Sequence, residues 1–266
     1  MILVMDIGNT NIKTALFKGT ELIQSWRIAT NLASTSDEYG IIMEGMFQHA
    51  GLNTGDVRGV MISSVVPTVN FTIEHMCRDF FNQEPSFVVP GIKTGINILY
   101  DNPRELGSDR ICNAVAASAI YGTPCIYIDF GSATSFGAIS RKGDFLGGCI
   151  CTGVRLSQDA VVKGTSRLPH FELIIPDKII ARTTITNLQS GLLYGYVGQV
   201  NYIVARMREE MGEPHAKVVA TGGFAHLIAQ QSEVIDHIDG LLTLKGIRML
   251  YEKNRDPLGQ EASRAV

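Results

Sequence analysis

The chain has 266 residues, of which 45% are hydrophobic and 18% charged, a composition typical of globular domains and unlike that of disordered chains. Its 23 basic and 26 acidic residues give a formal charge of −3, which indicates no basic surface for nucleic acid or anionic lipid. The length predicts one large domain or two small ones, and the expected partner is a small molecule, with no nucleic acid and no membrane.

The sequence favours a cytoplasmic location. Met1 leads directly into a strand-like run and Asp6, without the basic segment of a secretory signal, and no run approaches the roughly 18 apolar residues of a membrane-spanning helix. The cysteines are odd in number and mostly in apolar surroundings, as in reducing compartments; they are Cys77, Cys112, Cys125, Cys149 and Cys151. The close pair at 149 and 151 has no second pair or histidine cluster to complete a metal site.

Short β-rich runs alternate with helical spacing, which is typical of an α/β fold. The predicted strands are residues 2–5, 12–17, 60–66, 87–89, 126–128, 134–139 and 218–220. The predicted helices are residues 36–50, 67–81, 106–121 and 186–211, each long enough to cover a sheet face. No linker-like stretch divides the chain, and the tail, residues 255–266, is predicted to fray.

An internal repeat relates the two halves of the chain. The first strand leads into Asp6-Ile7-Gly8-Asn9-Thr10, and a later one leads into Asp129-Phe130-Gly131-Ser132-Ala133-Thr134. A tight turn of this kind presents backbone N–H groups to an anion, so both turns are candidate phosphate-binding loops. A third turn, Thr221-Gly222-Gly223, opens a helical stretch and is a candidate for admitting a flat ring. Together the three turns predict a nucleotide site.

Each turn has an alternative interpretation, because an Asp-x-Gly sequence is more often only a hairpin turn. Repetition at matching places in the two halves favours the phosphate interpretation. The common nucleotide signatures are missing from the sequence: there is no P-loop, no Gly-x-Gly-x-x-Gly after the first strand, and no kinase catalytic loop. The nucleotide must therefore be held by another arrangement.

Several further motifs resemble those of the type III pantothenate kinases, members of the actin and sugar kinase superfamily. They are Tyr100-Asp101-Asn102-Pro103, Leu106-Gly107-Ser108-Asp109-Arg110, Asp129-Phe130-Gly131, Gln189-Ser190-Gly191 and Leu242-Thr243-Leu244-Lys245-Gly246. Several motifs in fixed order are more specific than any single loop. The resemblance runs from Met1 to about Asn254.

The resemblance implies two similar actin/ribonuclease H-like α/β domains, each a mixed sheet flanked by helices, with ATP in the cleft between them. Residues 1–117 would carry the first phosphate loop, and residues 118–254 the second loop and the adenosine motif. The implied activity is ATP-dependent phosphorylation of pantothenate to 4′-phosphopantothenate, the first step of coenzyme A biosynthesis. The implied enzyme is a homodimer that uses Mg²⁺ with ATP and a monovalent cation, K⁺ or NH₄⁺.

The resemblance also implies roles for individual residues. ATP binding would fall to Asp6, Ile7, Gly8, Asn9, Thr10, Asn11, Ile12 and Lys13 of the first loop and to Ser132 of the second. Pantothenate binding would fall to Tyr100, Gly107, Ser108, Asp109, Arg110 and Thr184, with Asp109 as the catalytic base. Asp129 would hold the monovalent cation. The resemblance also allows Thr184 to reach the substrate across the dimer interface.

The chemistry of these residue types agrees with those roles. Phosphoryl transfer needs a positioned hydroxyl, a nearby carboxylate and cations that neutralise the phosphates. Asp109 can accept the hydroxyl proton, Asp6 can orient Mg²⁺ or its bound water, and Arg110 can clamp an anionic substrate.

Each position also has a purely structural interpretation. Near a helix start, Asp109 can offset the helix dipole and Arg110 can be solvated. Asp129 can bond to its own turn, Thr184 can cap the following helix, and Tyr100 can be ordinary loop packing. The glycines at 191, 195 and 198 favour close packing, with the dimer seam as one option.

The chain departs from the family pattern at three places. Ser132 stands where the family usually has Thr, and Thr152 stands before Gly153 where the family has Pro. Residues 181–184, Ala-Arg-Thr-Thr, replace the usual Gly-Lys-Asn/Ser-Thr. Since the carboxylates at 6, 109 and 129 are intact, we expect an active enzyme. The alternatives are a non-catalytic nucleotide-binding regulator and a kinase of the same superfamily that acts on another small hydroxylated substrate.

Overall fold

The computed structural model describes residues 1–255, and this part of the chain forms ten strands and seven α-helices. The strands are β1 (Ile2–Ile7), β2 (Asn11–Lys18), β3 (Glu21–Ala29), β4 (Val60–Ser64), β5 (Ser86–Phe87), β6 (Cys125–Phe130), β7 (Ala133–Ile139), β8 (Phe145–Thr152), β9 (Lys217–Gly222) and β10 (His237–Ile238). The helices are α1 (Ser36–His49), α2 (Pro67–Phe81), α3 (Ser108–Tyr121), α4 (Val154–Lys163), α5 (Thr184–Met211), α6 (Ala225–Ala229) and α7 (Leu242–Asn254).

The ten strands form two mixed sheets with the same topology. The first sheet has the order β3-β2-β1-β4-β5 and the second the order β8-β7-β6-β9-β10. In each sheet the first three strands in sequence are antiparallel neighbours, and the last two add in parallel. This architecture confirms the predicted fold class, and it explains the internal repeat as one supersecondary pattern used twice.

Each sheet has its own hydrophobic core. On β1 the alternate residues Leu3, Met5 and Ile7 belong to the core of the first sheet, and Val4 between them is also fully buried, so both faces of the strand are covered. The three core residues pack with side chains at helical spacing on α1 and α2. The second sheet repeats this with β6 against α5, so the amphipathic pattern of each half accounts for its layer of helices.

The chain divides into two compact units. The first comprises Met1–Gly95, Asn102–Ala116 and the segment beginning at Thr243; the second comprises Ile96–Asp101 and Ala117–Leu242. This division differs from the one expected from the sequence, residues 1–117 and 118–254, because α7 joins the first unit. The reason is contact with α3: the Thr243 hydroxyl donates to Asn113 Oδ1 at 2.8 Å. The predicted frayed tail lies outside the described residues, apart from Arg255.

Five elements were missing from the sequence-based assignment: β3, β8, β10, α4 and α7. Helix α6 was expected only as a helical stretch after the third turn. Most residues of β3 are at least partly exposed, and Gly147-Gly148 interrupts the apolar pattern of β8. Helix α3 begins at Ser108, two residues after the predicted start, and α5 begins at Thr184, two residues before it. Among the described residues, no helix is both long and apolar enough to span a bilayer.

Candidate functional site

The first Asp-x-Gly turn joins β1 to β2. Asp6 lies opposite Lys13 in the strand pairing, with the carboxylate 3.9 Å from the ammonium group. Ile7 and Ile12 flank the turn and point into the core, so only their backbone groups remain for a ligand. Asn9 and Thr10 are exposed at the tip. The predicted loop therefore consists of an exposed tip between two buried anchors.

The glycines of the two turns are not required by the backbone of this chain. A Cβ on Gly8 would make only an ordinary 3.4 Å contact with the Asn11 carbonyl, and one on Gly131 would lie 3.4 Å from the Ala133 carbonyl. Neither glycine has a left-handed φ. The bare face of each turn is therefore available for close approach of a ligand, as the phosphate interpretation requires.

The second turn, between β6 and β7, is not an equal copy of the first. Asp129 pairs with Ser135, six residues later, whereas Asp6 pairs with Lys13, seven residues later. The second turn is thus one residue shorter and carries a serine at the register position of the lysine. Ser132 is exposed at its tip. The sequence repeat overstated the equivalence of the two loops.

In the third turn, the backbone requires glycine at one of the two glycine positions. Gly222 has a φ of +93°, and a Cβ there would lie 2.5 Å from the Phe130 carbonyl. The Gly223 N–H donates to the same carbonyl at 3.1 Å, so the end of β9 is tied closely to β6. A Cβ on Gly223 would meet nothing within 4 Å. Of the two glycines, only Gly223 remains a candidate for close ligand approach.

Asp109 lies in the first turn of α3, where its Oδ1 accepts from the Arg110 N–H at 2.8 Å. A Cβ on Gly107 would lie 2.5 Å from that Oδ1, so the glycine leaves room for the carboxylate. Asp109 is partly exposed, whereas Arg110 is buried at 6% exposure. The interpretation of Arg110 as a solvated side chain is therefore wrong.

The hydroxyl of Ser108 holds α3 against the first sheet. Its Oγ lies 2.9 Å from Ser63 Oγ and donates to the Ser64 carbonyl at 3.1 Å. Ser63 lies on β4 directly opposite Asp6 on β1. The two serines thus connect the strand that carries Asp6 to the helix that carries Asp109. Sequence reasoning missed Ser63, although a serine within an apolar strand was an available signal.

The carboxylates of Asp6 and Asp109 both influence a buried thiol. Cys112 on α3 is fully buried, and burial raises its pKa well above the usual value. The carboxylates of Asp6 and Asp109 both raise this pKa further. Two predicted site residues, 103 positions apart in the sequence, therefore act on one side chain. The thiol itself stays protonated at neutral pH, so it is not a nucleophile.

The second unit holds the remaining predicted substrate residues. The Tyr100 ring is nearly parallel to Phe145, with centroids 6.5 Å apart, so loop packing accounts for its position. Thr184 is exposed at the start of α5. The cap of that helix is Thr183, whose side chain accepts from the Thr186 N–H. The interpretation of Thr184 as the cap is therefore wrong, and its side chain remains available to a ligand.

The departures from the family pattern have local structural roles. A Cβ on Gly153 would overlap the Ser132 carbonyl, so the end of β8 packs closely on the second turn. The Thr152 carbonyl accepts from the Tyr196 hydroxyl at 2.8 Å, which anchors the strand at the position where the resemblance leads us to expect a proline. Among the described residues, no group of three or more His, Cys, Asp or Glu is arranged to hold a metal ion.

Comparison with solved structures defines the class of fold. A conserved protein of Campylobacter jejuni, named for the Baf family of transcriptional activators, is 19% identical with a TM-score of 0.61, over 95% of this chain and 98% of that one. The activator of 2-hydroxyisocaproyl-CoA dehydratase from Clostridium difficile, with bound ADPNP, is 16% identical with a TM-score of 0.53, over 100% and 97%. A ROK hexokinase from Thermus thermophilus is 12% identical with a TM-score of 0.50, over 95% and 98%. The chain has the two-sheet fold of the actin and sugar kinase superfamily.

A family model then identifies the family within that fold. The model of the type III pantothenate kinases matches residues 2–206, which is well over half of the chain. The chain belongs to the type III pantothenate kinase family. The matched range contains both Asp-x-Gly turns and the segment from Tyr100 to Arg110, and it ends before the Thr221-Gly222-Gly223 turn.

Proposed function

We propose that this chain transfers the γ-phosphoryl group of ATP to a hydroxyl of pantothenate, giving 4′-phosphopantothenate and ADP in the first step of coenzyme A biosynthesis. Family membership supports a kinase. The observation that carries the proposal is the placement of Asp109 in the first turn of α3, directly after Ser108, whose hydroxyl lies 2.9 Å from that of Ser63, the residue that pairs with Asp6. A base and a phosphate-side carboxylate in one neighbourhood are what phosphoryl transfer needs.

In the proposed reaction, the bond between the γ-phosphorus and the oxygen that bridges it to the β-phosphorus breaks, and its electron pair leaves with ADP. A bond forms between the γ-phosphorus and the pantothenate hydroxyl oxygen, and Asp109 accepts the hydroxyl proton. The Arg110 N–H at 2.8 Å orients the Asp109 carboxylate, while Gly107 leaves space beside it.

The substrate roles follow from what each side chain already contacts. The Ser108 hydroxyl is engaged with Ser63 and with the backbone of β4, so Ser108 and Gly107 would bind pantothenate through backbone groups. Arg110 would clamp the pantothenate carboxylate through its guanidinium group. Tyr100 and the exposed Thr184 would be further pantothenate-binding residues.

The proposed ATP-binding residues also separate into those that would bind through backbone groups and those that would bind through side chains. At the first turn, the exposed tip would offer backbone N–H groups to the phosphates and Lys13 would supply positive charge, while Ile7 and Ile12 would contribute backbone groups only. Ser132 would contact ATP from the second turn. The bare faces at Gly8 and Gly131 support close approach of the phosphates.

The donor groups fit the proposed cations. Mg²⁺ is usually held by one or two carboxylates together with substrate phosphates, so the single carboxylate of Asp6 suits a metal that arrives with ATP. Bound Mg²⁺ would neutralise charge on the transferred group. At the second turn, the Asp129 carboxylate lies beside bare Gly131, whose Cβ position is 3.7 Å from Asp129 Oδ1. Carboxylate and turn carbonyl oxygens there suit K⁺ or NH₄⁺.

We also propose a homodimer. Cβ atoms on Gly191, Gly195 and Gly198 would meet nothing within 4 Å in this chain, so these glycines of α5 are not used for close packing within the described residues. The exposed Ile185 near the start of the same helix adds apolar surface. The cytoplasmic location expected from the sequence stays a prediction.

The test is a coupled ADP-release assay with pantothenate in the presence of K⁺, with mass spectrometry of the phosphorylated product. We expect turnover that depends on pantothenate. Turnover with a sugar or acetate but not with pantothenate would select another kinase of the superfamily. Binding of ADP by the protein, without turnover of any substrate, would select a non-catalytic regulator.

A further inference from the structure

Thr30, which belongs to none of the motifs above, contacts the first turn from the end of β3. Its hydroxyl donates to the Gly8 carbonyl at 2.6 Å. Its backbone N–H donates to the Thr10 carbonyl at 3.0 Å. A single residue therefore orients two carbonyl groups of the turn that carries the proposed phosphate contacts.

The orientation of a carbonyl also determines that of the next N–H. In a trans peptide unit the C=O and N–H bonds point in opposite directions. Because Thr30 holds the Gly8 carbonyl, the Asn9 N–H points away from Thr30, and the same argument applies to the Thr10 carbonyl and the Asn11 N–H. A turn attracts an anion only when its N–H groups, and not its carbonyls, face the ligand.

We propose that Thr30 is a positioning residue for the nucleotide: it holds the carbonyls of Gly8 and Thr10 away from the phosphates so that the turn presents N–H groups to them. The inference rests on the proposed role of this turn in phosphate binding. Without the hydroxyl, the Gly8 carbonyl loses a 2.6 Å partner, and the peptide unit is able to turn its oxygen toward the anion.

The corner of the chain around Thr30 is held independently of its hydroxyl. The Tyr39 hydroxyl, on α1, donates to the Asn31 carbonyl and accepts from the Asn31 N–H, both at 2.9 Å. Tyr39 is buried in the first core at 2% exposure. Removal of the Thr30 hydroxyl should therefore change the turn without displacing the segment that carries Thr30.

Three variants separate positioning from general stability. Thr30→Val removes the hydroxyl but keeps the backbone N–H and the β-branched shape. Thr30→Ser keeps the hydroxyl and is the rescue variant. Tyr39→Phe is the matched control, because it removes one hydroxyl from the same corner and leaves the Gly8 carbonyl untouched.

The measurements are the Kd of ADP by calorimetry, the KM values of ATP and pantothenate, and the melting temperature. We expect Thr30→Val to weaken ADP binding and to raise the KM of ATP about threefold to tenfold, the range of one hydrogen bond. The KM of pantothenate should stay within about twofold. Thr30→Ser should resemble the wild type, and Tyr39→Phe should lower the melting temperature while it retains ADP affinity.

Several outcomes would overturn the inference. They are an ADP affinity of Thr30→Val within about twofold of the wild type, an equal loss in Tyr39→Phe, or a wild type that does not bind ADP. Calorimetry with ADP needs no turnover of pantothenate. A wild type that binds ADP but leaves pantothenate unmodified would therefore refute the proposed function while the role of Thr30 is still tested.

Discussion

Asp109→Asn is the substitution that most directly separates a catalytic carboxylate from a helix-start residue. Asn keeps an Oδ1 that accepts from the Arg110 N–H, so only the charge and the capacity to take a proton are lost. Loss of a first-turn charge costs about 0.3–1 kcal/mol, which for a chain of this size lowers the melting temperature by about 4 °C at most. Loss of a general base lowers kcat by about 10²- to 10⁴-fold.

The matched control is Asp37→Asn. Asp37 is the second residue of α1, as Asp109 is the second residue of α3, so the two variants remove the same charge from the same helical position. We expect similar melting temperatures by thermal denaturation and a large difference in kcat in the coupled assay. An Asp109→Asn protein with normal melting and near wild-type turnover would show that the base lies elsewhere.

Three further predictions concern the cation, the assembly and the thiols. Replacement of K⁺ by Na⁺ should lower turnover or ATP affinity, and unchanged kinetics in Na⁺ or a bulky organic cation would remove the role given to Asp129. Light scattering should give the mass of a dimer, and a fully active monomer would contradict this. Burial raises the pKa of Cys77 and Cys125 to about 12 and that of Cys112 well above its usual value. A raised thiol pKa favours the protonated form in the folded state, so at pH 8.5 iodoacetamide should modify only the partly exposed Cys149 and Cys151, and stability should fall as pH rises above about 9. Rapid modification of the buried thiols in native protein would contradict the burial argument.

The fold class could be predicted because each half repeats a strong local pattern. A buried apolar strand, an Asp-x-Gly turn and a second strand occur twice, and amphipathic helices follow. Burial on one face of a strand or helix is encoded in the spacing of apolar residues, and that spacing needs no information from distant parts of the chain.

The missed strand β3 lacks such a local signal. The strand β3 has no fully buried position, so its apolar alternation is weak, and only its pairing with β2 defines it as a strand. The membership of α7 in the first unit depends on contacts with α3, more than 120 residues away. The apolar spacing of either segment does not predict which distant segment it packs against.

In the candidate site, the sequence pointed to the chemically active residue types but not to the residues that position them. Carboxylates such as Asp6 and Asp109 could be chosen as candidates because their residue type and motif context point to phosphoryl transfer. Thr30 was not, since a threonine whose hydroxyl bonds to a neighbouring carbonyl looks like any other threonine in the sequence. Ser63 was missed although it interrupts an apolar strand. Their roles depend on the pairing of β1 with β4 and on the return of β3 beside the first turn.

The motif Leu242-Thr243-Leu244-Lys245-Gly246 illustrates how a family signature can be structural. Thr243 donates to Asn113 inside α3, and a Cβ on Gly246 would overlap the Cys112 backbone, so α7 packs against α3 at closest approach. Ser63 on β4 holds the start of α3 through its hydrogen bond with the Ser108 hydroxyl. The helix that carries Asp109 is therefore held at its start by a hydroxyl pair and farther along by α7. Because the proposed proton acceptor must be placed precisely, we expect these contacts to support catalysis although none of them takes part in the chemistry.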